Sequence, residues 1–545
     1  MPINNFTDKS TSGFDEDALT TSTLGERVRN FARLATSGEL ADGIAADADD
    51  VSIVNFGEVE TAGKGAAGII ARGSNASIVN FGSVATLGGI RDPDPDVDGD
   101  EAFAEGLVAE GDGFRVVNFG RVHVEGESSS CLVGVGADGV VVNYGVLSTE
   151  SFQSSAIAVD GERAQAVNAG LIRVGGEDNT ALFATGEDAV AVNRGLILID
   201  GPRLTGVEGV IVNTDVINKG VIRIEGERSV GLTGFGDGHW IENLGTIDVH
   251  GFFSGGIQAR GIVSFGLDGV DLEILNAGRI TTDGDLGIGI GLGVSSAGKS
   301  EGFSPAENGS IVNRGAIETE GDGAAGIVMN GDGHHLVNSG RIVADGGAFD
   351  SDLLGLFRAA GVVVTGDEAL VENLRHGVII SNNAESAAVE LNVIEQDGAM
   401  TEDMSALLEN RGLIKGAGIA VLGGAGEETV INHGRIVGDV DLGDGDDTYA
   451  CGKGSALVGD LVLGGGDDLV LVADGSGTLR IADFEAGAGG GDIIDVSAFF
   501  SDFGDVLSHA SQKGGNTVIA LDGNDRLVLE NTLLSVLDAG DFQLA

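Results

Sequence analysis

An asparagine recurs at near-regular intervals along most of this 545-residue chain, and this repeat limits the fold more than any other feature. Between Asn118 and Asn243 the interval is 25 residues every time, and longer intervals elsewhere look like 25 residues plus an insertion. A fixed period near 25 residues is typical of a solenoid, in which each copy forms one coil stacked on its neighbours. The register positions are Asn30, Asn55, Asn80, Asn118, Asn143, Asn168, Asn193, Asn218, Asn243, Asn276, Asn313, Asn338, Asn373, Asn410 and Asn432.

The residues between these asparagines indicate which type of solenoid forms. Leucine-rich repeats share the period and an asparagine ladder, but they need leucine-rich spacing and a helix or extended return segment in each copy. Here the apolar positions hold Val and Ile, and glycines interrupt every candidate helical window at a cost of ~1 kcal/mol each. β-Branched residues in two-residue alternation, broken by Gly, indicate strands and turns. We therefore predict an all-β fold, a right-handed parallel β-solenoid of about 15 coils.

Two columns of the repeat support this prediction. The residue two positions after each Asn is almost always Gly, which tolerates a positive φ and so predicts a corner in every coil. The residue four positions after is Val, Leu or Ile, which shares the parity of the Asn, so both are expected to point inward. A buried amide is costly unless it is paired, and coils ~4.8 Å apart allow each Asn to bond to the next. The predicted ladder contains Asn55, Asn80, Asn118, Asn143, Asn168, Asn193, Asn218 and Asn243.

The residue directly after the Asn is aromatic in five early copies and has the opposite parity to the core. Some later copies hold Arg or Lys there, so this column is expected to face outward. Its aromatic members would then form an exposed apolar stripe, which usually marks a contact surface. Either residues 1–27, which lack the repeat, fold over the stripe as a cap, or another molecule covers it. The stripe consists of Phe31, Phe56, Phe81, Phe119 and Tyr144.

An insertion before Asn118 reads DPDPDVDGDEAFAE and has the carboxylate spacing of an EF-hand calcium loop. Oxygen ligands at this spacing suit a Ca²⁺ ion, while the alternative is an acidic surface loop without a metal. The candidate ligands are Asp94, Asp96, Asp98, Asp100 and Glu105.

A second acidic pattern begins where the asparagine repeat ends. LGDGDDTY (442–449) and LGGGDDLV (463–470) both fit G-x-G-x-D-x-U, and equivalent positions are 21 residues apart. These segments resemble the repeats-in-toxin (RTX) family, whose repeats form a Ca²⁺-bound parallel β-roll. The resemblance implies that Asp447 and Asp468 are calcium ligands, and the alternative is a Gly-Asp turn without metal. Further candidate ligands in the same turns are Asp444, Asp446 and Asp467.

The last segment, residues 479–545, resembles the C-terminal domain of serralysin-type and other type I secreted RTX proteins. The matching parts are IADF, GGGDIIDVS, the hairpin-like TVIALDGNDRLVL and the ending DFQLA. The resemblance implies export by the type I secretion machinery of a Gram-negative bacterium and a secreted, extracellular or cell-surface location. It also accounts for an N-terminus that has neither the basic start nor the apolar run of a signal peptide. Further candidate Ca²⁺ ligands in this segment are Asp483, Asp492 and Asp495.

Charge and composition exclude several classes of partner. The formal net charge is −55, from 85 acidic and 30 basic residues, and such a surface repels nucleic acid and anionic lipid. No window approaches 18 apolar residues, so no membrane span is expected. The two cysteines, Cys131 and Cys451, fall on distant coils and are expected to be free or intermolecular.

No catalytic constellation is evident. The HExxH motif of zinc proteases is absent, and none of the eight histidines has that spacing, so we do not expect an enzyme. We expect a calcium-stabilised structural protein that self-associates into a surface layer, fibre, filament or biofilm matrix, or an adhesin that binds a cell-surface polysaccharide. The alternative is a β-helical enzyme, a lyase or epimerase, that modifies polysaccharide.

The predicted organisation has four parts. An N-terminal cap or assembly segment occupies residues 1–27, and the β-solenoid occupies residues 28–438. RTX-like calcium-binding coils follow at 439–478, and the C-terminal secretion domain occupies 479–545.

Overall fold

The computed structural model describes residues 2–89, 103–261, 267–294, 306–351, 355–392, 404–487 and 491–545. Strands make up 53% of the structure and helices 3%, and long parallel sheets contain most of the strands. The prediction of an all-β parallel solenoid is confirmed. The chain divides into two compact units, residues 1–269 with 295–303 (unit 1) and residues 270–294 with 304–545 (unit 2).

Each coil of unit 1 contains three short strands that lie on three faces. The strand ending on the ladder Asn lies on face 1, as in Ser52–Asn55, and Glu58–Thr61 and Ile69–Arg72 follow on faces 2 and 3. Each strand pairs in parallel with the strand one coil away, so that Asn55 is opposite Asn80. The Asn-containing repeat is therefore one complete turn of the solenoid.

The strands of unit 1 follow this order through ten coils of the described residues. Face 1 contains Ile3–Asn5, Arg27–Asn30, Ser52–Asn55, Ser77–Asn80, Arg115–Asn118, Val140–Asn143, Gln165–Asn168, Val190–Asn193, Asp215–Asn218 and Trp240–Asn243. Face 2 contains Lys9–Thr11, Arg33–Thr36, Glu58–Thr61, Ser83–Thr86, Arg121–Val124, Val146–Thr149, Leu171–Gly175, Leu196–Asp200, Val221–Glu225 and Thr246–His250. Face 3 contains Leu19–Thr21, Ile44–Ala46, Ile69–Arg72, Leu107–Glu110, Leu132–Val135, Ser155–Asp160, Thr180–Thr185, Thr205–Val212, Val230–Asp237 and Gly255–Arg260.

The asparagine side chains form a continuous hydrogen-bonded ladder inside unit 1. Each Nδ2 donates to the Oδ1 of the next Asn at 2.8–2.9 Å, from Asn5 through to Asn243. In most rungs Oδ1 also accepts the backbone N–H of the residue two positions on, as Gly57 donates to Asn55 at 3.2 Å. The amides are fully buried and paired on both sides, which removes the cost of burying them.

Glycine occupies the position two residues after most ladder Asn residues for a reason other than the predicted positive φ. The φ of Gly82 lies outside the left-handed region, so the prediction of a positive φ is wrong there. A Cβ on Gly82 would lie 1.9 Å from the backbone oxygen of Gly57 in the preceding coil. The corners stack so closely that no side chain fits, and close approach explains the glycine.

The described part of the 1–27 segment, residues 2–27, forms the first coil of the solenoid and does not fold over the aromatic stripe, so the prediction of a cap on the stripe is wrong. Ile3–Asn5 pairs in parallel with the next strand of face 1, and Asn5 is the first rung of the ladder. The repeat was hidden because Thr7 and Lys9 occupy the positions that hold Gly and an aliphatic residue in other coils.

Unit 2 continues the same pattern, with an Asn ladder from Asn276 to Asn432 at 2.9 Å per rung. Its face 1 contains Glu273–Asn276, Ser310–Asn313, His335–Asn338, Ala369–Asn373, Ser405–Asn410, Glu427–Asn432, Thr448–Cys451, Leu469–Leu471, Ile493–Asp495 and Phe542–Gln543. Face 2 contains Arg279–Thr282, Ala316–Thr319, Arg341–Ala344, Val378–Ser381 and Ala456–Val458, and two long strands, Leu413–Leu422 and Arg435–Asp441, span faces 2 and 3. Face 3 also contains Ile288–Leu292, Ala325–Asn330, Val362–Thr365, Val389–Leu391, Leu461–Val462, Thr478–Ile481 and Arg526–Leu529.

The C-terminal segment continues the solenoid. Strand Glu427–Asn432 pairs in parallel with Thr448–Cys451, so the pairing runs without interruption across the predicted boundary at residue 439. Beyond this point the described residues add helix Phe503–His509, whose N-cap Asp502 accepts the Asp505 N–H. The remaining elements are the antiparallel pair Ala510–Lys513 and Asn516–Ala520, the 3₁₀ turns Leu534–Val536 and Ala539–Asp541, and the hairpin Ala348–Ser351 with Gly355–Arg358.

Both cysteines, Cys131 and Cys451, are buried and free, so neither thiol is accessible for an intermolecular bridge. Among the described residues, no helix has the length and apolar character needed to cross a membrane.

We expect Asn168→Ala to lower the free energy of unfolding by roughly 3 kcal/mol, because the buried amides of Asn143 and Asn193 each lose one hydrogen bond and the Gly170 N–H loses its acceptor. Gln165→Ala removes an exposed amide from the same strand and is the matched control. Urea unfolding followed by circular dichroism measures both, and equal stabilities would contradict a structural role for the ladder.

Candidate functional site

Six aromatic rings stack along the outside of unit 1. They are the five predicted members of the stripe and Phe6, which the first coil adds. Neighbouring ring centroids are 4.9–5.1 Å apart, and the ring planes differ by only 4–8°. The fixed register of the strands holds one ring above each coil, so the stack follows directly from the ladder. The aromatic stripe consists of Phe6, Phe31, Phe56, Phe81, Phe119 and Tyr144.

The stripe is open to solvent at its ring edges. Exposed fractions run from 43% for Phe31 to 70% for Phe6. Because each inner ring has a neighbour on both faces, its faces are covered and only its edge is free. This geometry prevents a sugar ring from stacking on the inner rings, which would need a free aromatic face. The aromatic stripe therefore presents a straight apolar ridge to solvent.

A shallow groove of about 870 Å³ runs beside this ridge. Its floor is the glycine column, including Gly82 and Gly120, where the coils pack too closely for a side chain. The far wall is formed by the first residues of face 2, including Glu58, Ser83 and Arg121. The ridge and the groove are thus parallel and have the same repeat along the solenoid.

The predicted EF-hand-like site is only partly within the described residues. Asp94, Asp96, Asp98 and Asp100 lie outside them. Glu105 is described, and its carboxylate accepts the backbone N–H of Ser130 in the next coil. Burial raises the pKa of Glu105 to about 8.

The two RTX-like turns place their motif aspartates inside the coils. Asp447 Oδ1 accepts the Glu428 N–H at 2.7 Å, and Asp468 Oδ1 accepts the Asp447 N–H at 2.9 Å. Asp492 continues the column by accepting the Asp468 N–H at 3.3 Å. The second oxygens of Asp447 and Asp468 are buried and have no hydrogen-bond partner among the described residues.

The electrostatics of this column disfavour two negative charges. Burial raises the pKa of Asp447 to about 8 and that of Asp468 to about 7, and neighbouring carboxylates add to both shifts. Burial also raises the pKa of Glu428 to about 7. A cation next to the orphaned oxygens would supply the missing partner and stabilise the charged forms.

The other predicted ligands in this region are exposed or already accept hydrogen bonds from backbone N–H groups. Asp446 accepts the Asp467 N–H at 2.8 Å, and Asp444, Asp446 and Asp467 are all exposed on the turns. Asp483 accepts the N–H groups of Leu463 and Gly464 at 2.9 and 3.0 Å. Asp495 accepts the Ser497 N–H at 2.9 Å. Among the described candidates, Asp447 and Asp468 each retain a buried oxygen without a partner, whereas both oxygens of the buried Asp492 accept backbone N–H groups.

Three carboxylates that the sequence did not single out come within 4.8 Å of one another, namely those of Asp474, Asp522 and Asp525. Asp525 accepts backbone N–H groups of the 475–477 turn, and Asp474 pairs with Lys453 at 3.1 Å. These contacts explain why the three carboxylates lie together, because they link neighbouring turns. Asp522 and Asp525 belong to the LDGND segment, which in the sequence indicated only a hairpin.

Neither the known protein-family models nor the curated proteins include a match to this chain. The resemblance to RTX proteins therefore stays a prediction.

The raised pKa values predict how pH affects unit 2. A carboxyl group whose pKa is higher in the folded than in the unfolded state stabilises the fold at low pH, and this contribution is lost as pH rises through the folded pKa. Without metal, stability should therefore fall between about pH 4 and about pH 8. The variant Asp447→Asn/Asp468→Asn keeps both accepting oxygens but cannot titrate, so its stability should fall less over this range.

Urea unfolding in EGTA at both ends of that pH range, for the wild type and the double variant, measures the difference. Identical pH dependence in the two proteins would contradict burial of these carboxyls.

Proposed function

We propose that this protein is an extracellular structural protein that assembles side by side through the aromatic stripe, and that calcium stabilises its C-terminal coils. The observation that carries the proposal is the row of six stacked, half-exposed rings. The occupant of the stripe is a second copy of this chain.

The composition of the surface supports a contact role for the stripe. Isolated exposed apolar residues are common, but six contiguous rings on a chain of net charge −55 form a continuous apolar ridge. The structure leaves this ridge open, since residues 2–27 extend it instead of covering it.

The geometry of the stripe favours a second copy over an unrelated partner. Ridge and groove lie side by side and share the ~5 Å spacing of parallel strands. Two copies related by a twofold axis can therefore each place their ridge in the groove of the other, with the same contact repeated at every coil. Such self-complementarity is what a symmetric dimer interface requires.

Charge makes this association dependent on cations. Two copies that each carry −55 repel one another, and dissolved salt and divalent ions screen that repulsion. A calcium ion, which prefers carboxylate ligands, would give the orphaned oxygens of Asp447 and Asp468 a partner and would neutralise both charges. The RTX-like turns and C-terminal segment suggest export by the type I machinery into a medium that supplies calcium.

The stripe can be tested by substituting Phe56→Lys and Phe81→Lys together. Later coils hold Arg194 and Lys219 at the same position, so the solenoid accommodates a cation there. We expect the double variant to fold but to remain monomeric where the wild type assembles, because charged groups replace the centre of the ridge. The matched control is Leu244→Lys, which changes an exposed residue of the same column beyond the stack.

Sedimentation velocity and electron microscopy in Ca²⁺ and in EGTA measure assembly of the three proteins. A wild type that is monomeric at every calcium concentration would contradict the proposal, as would a double variant that assembles like the wild type.

Calcium binding has its own test. At a free Ca²⁺ concentration 100 times Kd, one site should stabilise the fold by about 2.7 kcal/mol. We expect calcium to raise the melting temperature of the wild type and to have little effect on Asp447→Asn/Asp468→Asn. Equal shifts in the two proteins would place calcium elsewhere.

A further inference from the structure

A second groove, of about 420 Å³, lies on the outer side of face 3 in unit 1. It extends over the strands Thr180–Thr185, Thr205–Val212, Val230–Asp237 and Gly255–Arg260. This groove is separate from the aromatic stripe, which follows the corner between faces 1 and 2.

One outward column of face 3 changes character at this groove. In earlier coils the column is apolar and includes Ile70, Val108 and Val133, paired in register from coil to coil. The same column continues through Phe183 and then becomes polar. Its last members in register are Glu208, Thr233 and Gln258.

Two of these polar side chains are buried without a partner. Thr233 and Gln258 are each 1% exposed, and neither Thr233 Oγ1 nor Gln258 Nε2 has a hydrogen-bond partner in the part of the chain that the structure describes. An unsatisfied buried polar group costs about 1–3 kcal/mol. The fold does not require polar residues here, because Val108 and Val133 fill the same column in other coils. A ligand that bonds to these groups explains why they are polar.

The charge around the groove differs from that of the whole chain. Three arginines, Arg203, Arg228 and Arg260, line it against two acids, Asp178 and Glu208, although the chain carries −55. Arg203 is ion-paired with Asp178 and with the neighbouring Glu177. Arg260 is only 3% exposed, and its guanidinium carbon lies 4.8 Å from the centre of the Phe235 ring. Apart from the ion-paired Arg203, the lining holds two arginines against one acid, Glu208, and this local excess of positive charge favours an anionic ligand.

The remaining groups indicate a ligand rich in hydroxyls. Thr180 Oγ1 donates to Glu208 Oε2 at 3.0 Å, and Thr205 adds a further hydroxyl to the wall. Phe183 and Phe235 supply aromatic surface, and the volume is within the range of small-ligand sites. Hydrogen-bond donors and acceptors beside aromatic rings suit a sugar, and the arginines suit a carboxylate on it.

We propose that this groove binds an acidic saccharide of the uronate type. Thr233 and Gln258 hydrogen-bond to the sugar hydroxyls, and Arg260 pairs with the carboxylate. This site would attach the protein to an acidic polysaccharide, and it does not depend on self-association through the stripe.

The test is calorimetric titration of the full-length protein with oligogalacturonate in EGTA, so that calcium cannot bridge acid groups. The variants are Thr233→Val and Gln258→Leu, which remove the orphaned polar atoms with little change in shape. We expect each to weaken binding at least tenfold while the melting temperature stays the same or rises, because an unsatisfied buried group is lost. If Thr233 and Gln258 had only a structural role, the variants would not lose affinity while keeping the melting temperature.

Thr86→Val is the matched control. Thr86 Oγ1 is also buried without a partner, but it faces the core of face 2, where the paired position of the next coil holds Val124. This variant should bind oligogalacturonate as the wild type does.

Four results would overturn the proposal. They are the absence of oligogalacturonate binding, unchanged affinity in both groove variants, equal binding of a neutral malto-oligosaccharide, and equal binding of poly-glutamate. The last would indicate an acidic protein as the ligand.

Discussion

The amide-to-amide hydrogen bond between successive asparagines is the interaction on which the rest of the structure depends. Within each unit, a ladder Asn donates to one neighbour and accepts from the other, so the coils from Asn5 to Asn243 and those from Asn276 to Asn432 are tied together at the same residue. A slip of one residue would turn the buried amides outward and break the ladder. The ladder therefore fixes the register of all three faces, and every column of side chains on the surface repeats at the strand spacing.

The proposed surfaces are consequences of this register. Phenylalanines next to the ladder Asn stack with nearly parallel ring planes because the register places one above each coil, and the stacked glycine corners leave a groove beside them. On face 3 the same regularity brings Thr233 beside Gln258. In the C-terminal coils it places Asp447 above Asp468, each capping an amide of the coil before it.

The sequence predicts these features where one residue type marks a column. The ladder, the inward aliphatic column and the aromatic stripe could all be recognised because Asn, Val or Ile, and Phe recur at fixed distances. The first coil was missed because Thr7 and Lys9 replace the marker residues, although strand pairing needs only Asn5 and the alternation around it. The face 3 groove could not be predicted, since Thr233 and Gln258 share no residue type, and their burial depends on how strands far apart in sequence pack.

The central claim is that the aromatic stripe is the contact between copies. Electron cryomicroscopy of the wild-type protein assembled in Ca²⁺ tests it most directly, because it locates each face of the solenoid within the assembly. The account predicts that Phe31, Phe56 and Phe81 of one copy lie in the glycine-floored groove of another. An assembly that leaves these rings exposed to solvent, or single separate molecules in Ca²⁺, would contradict it.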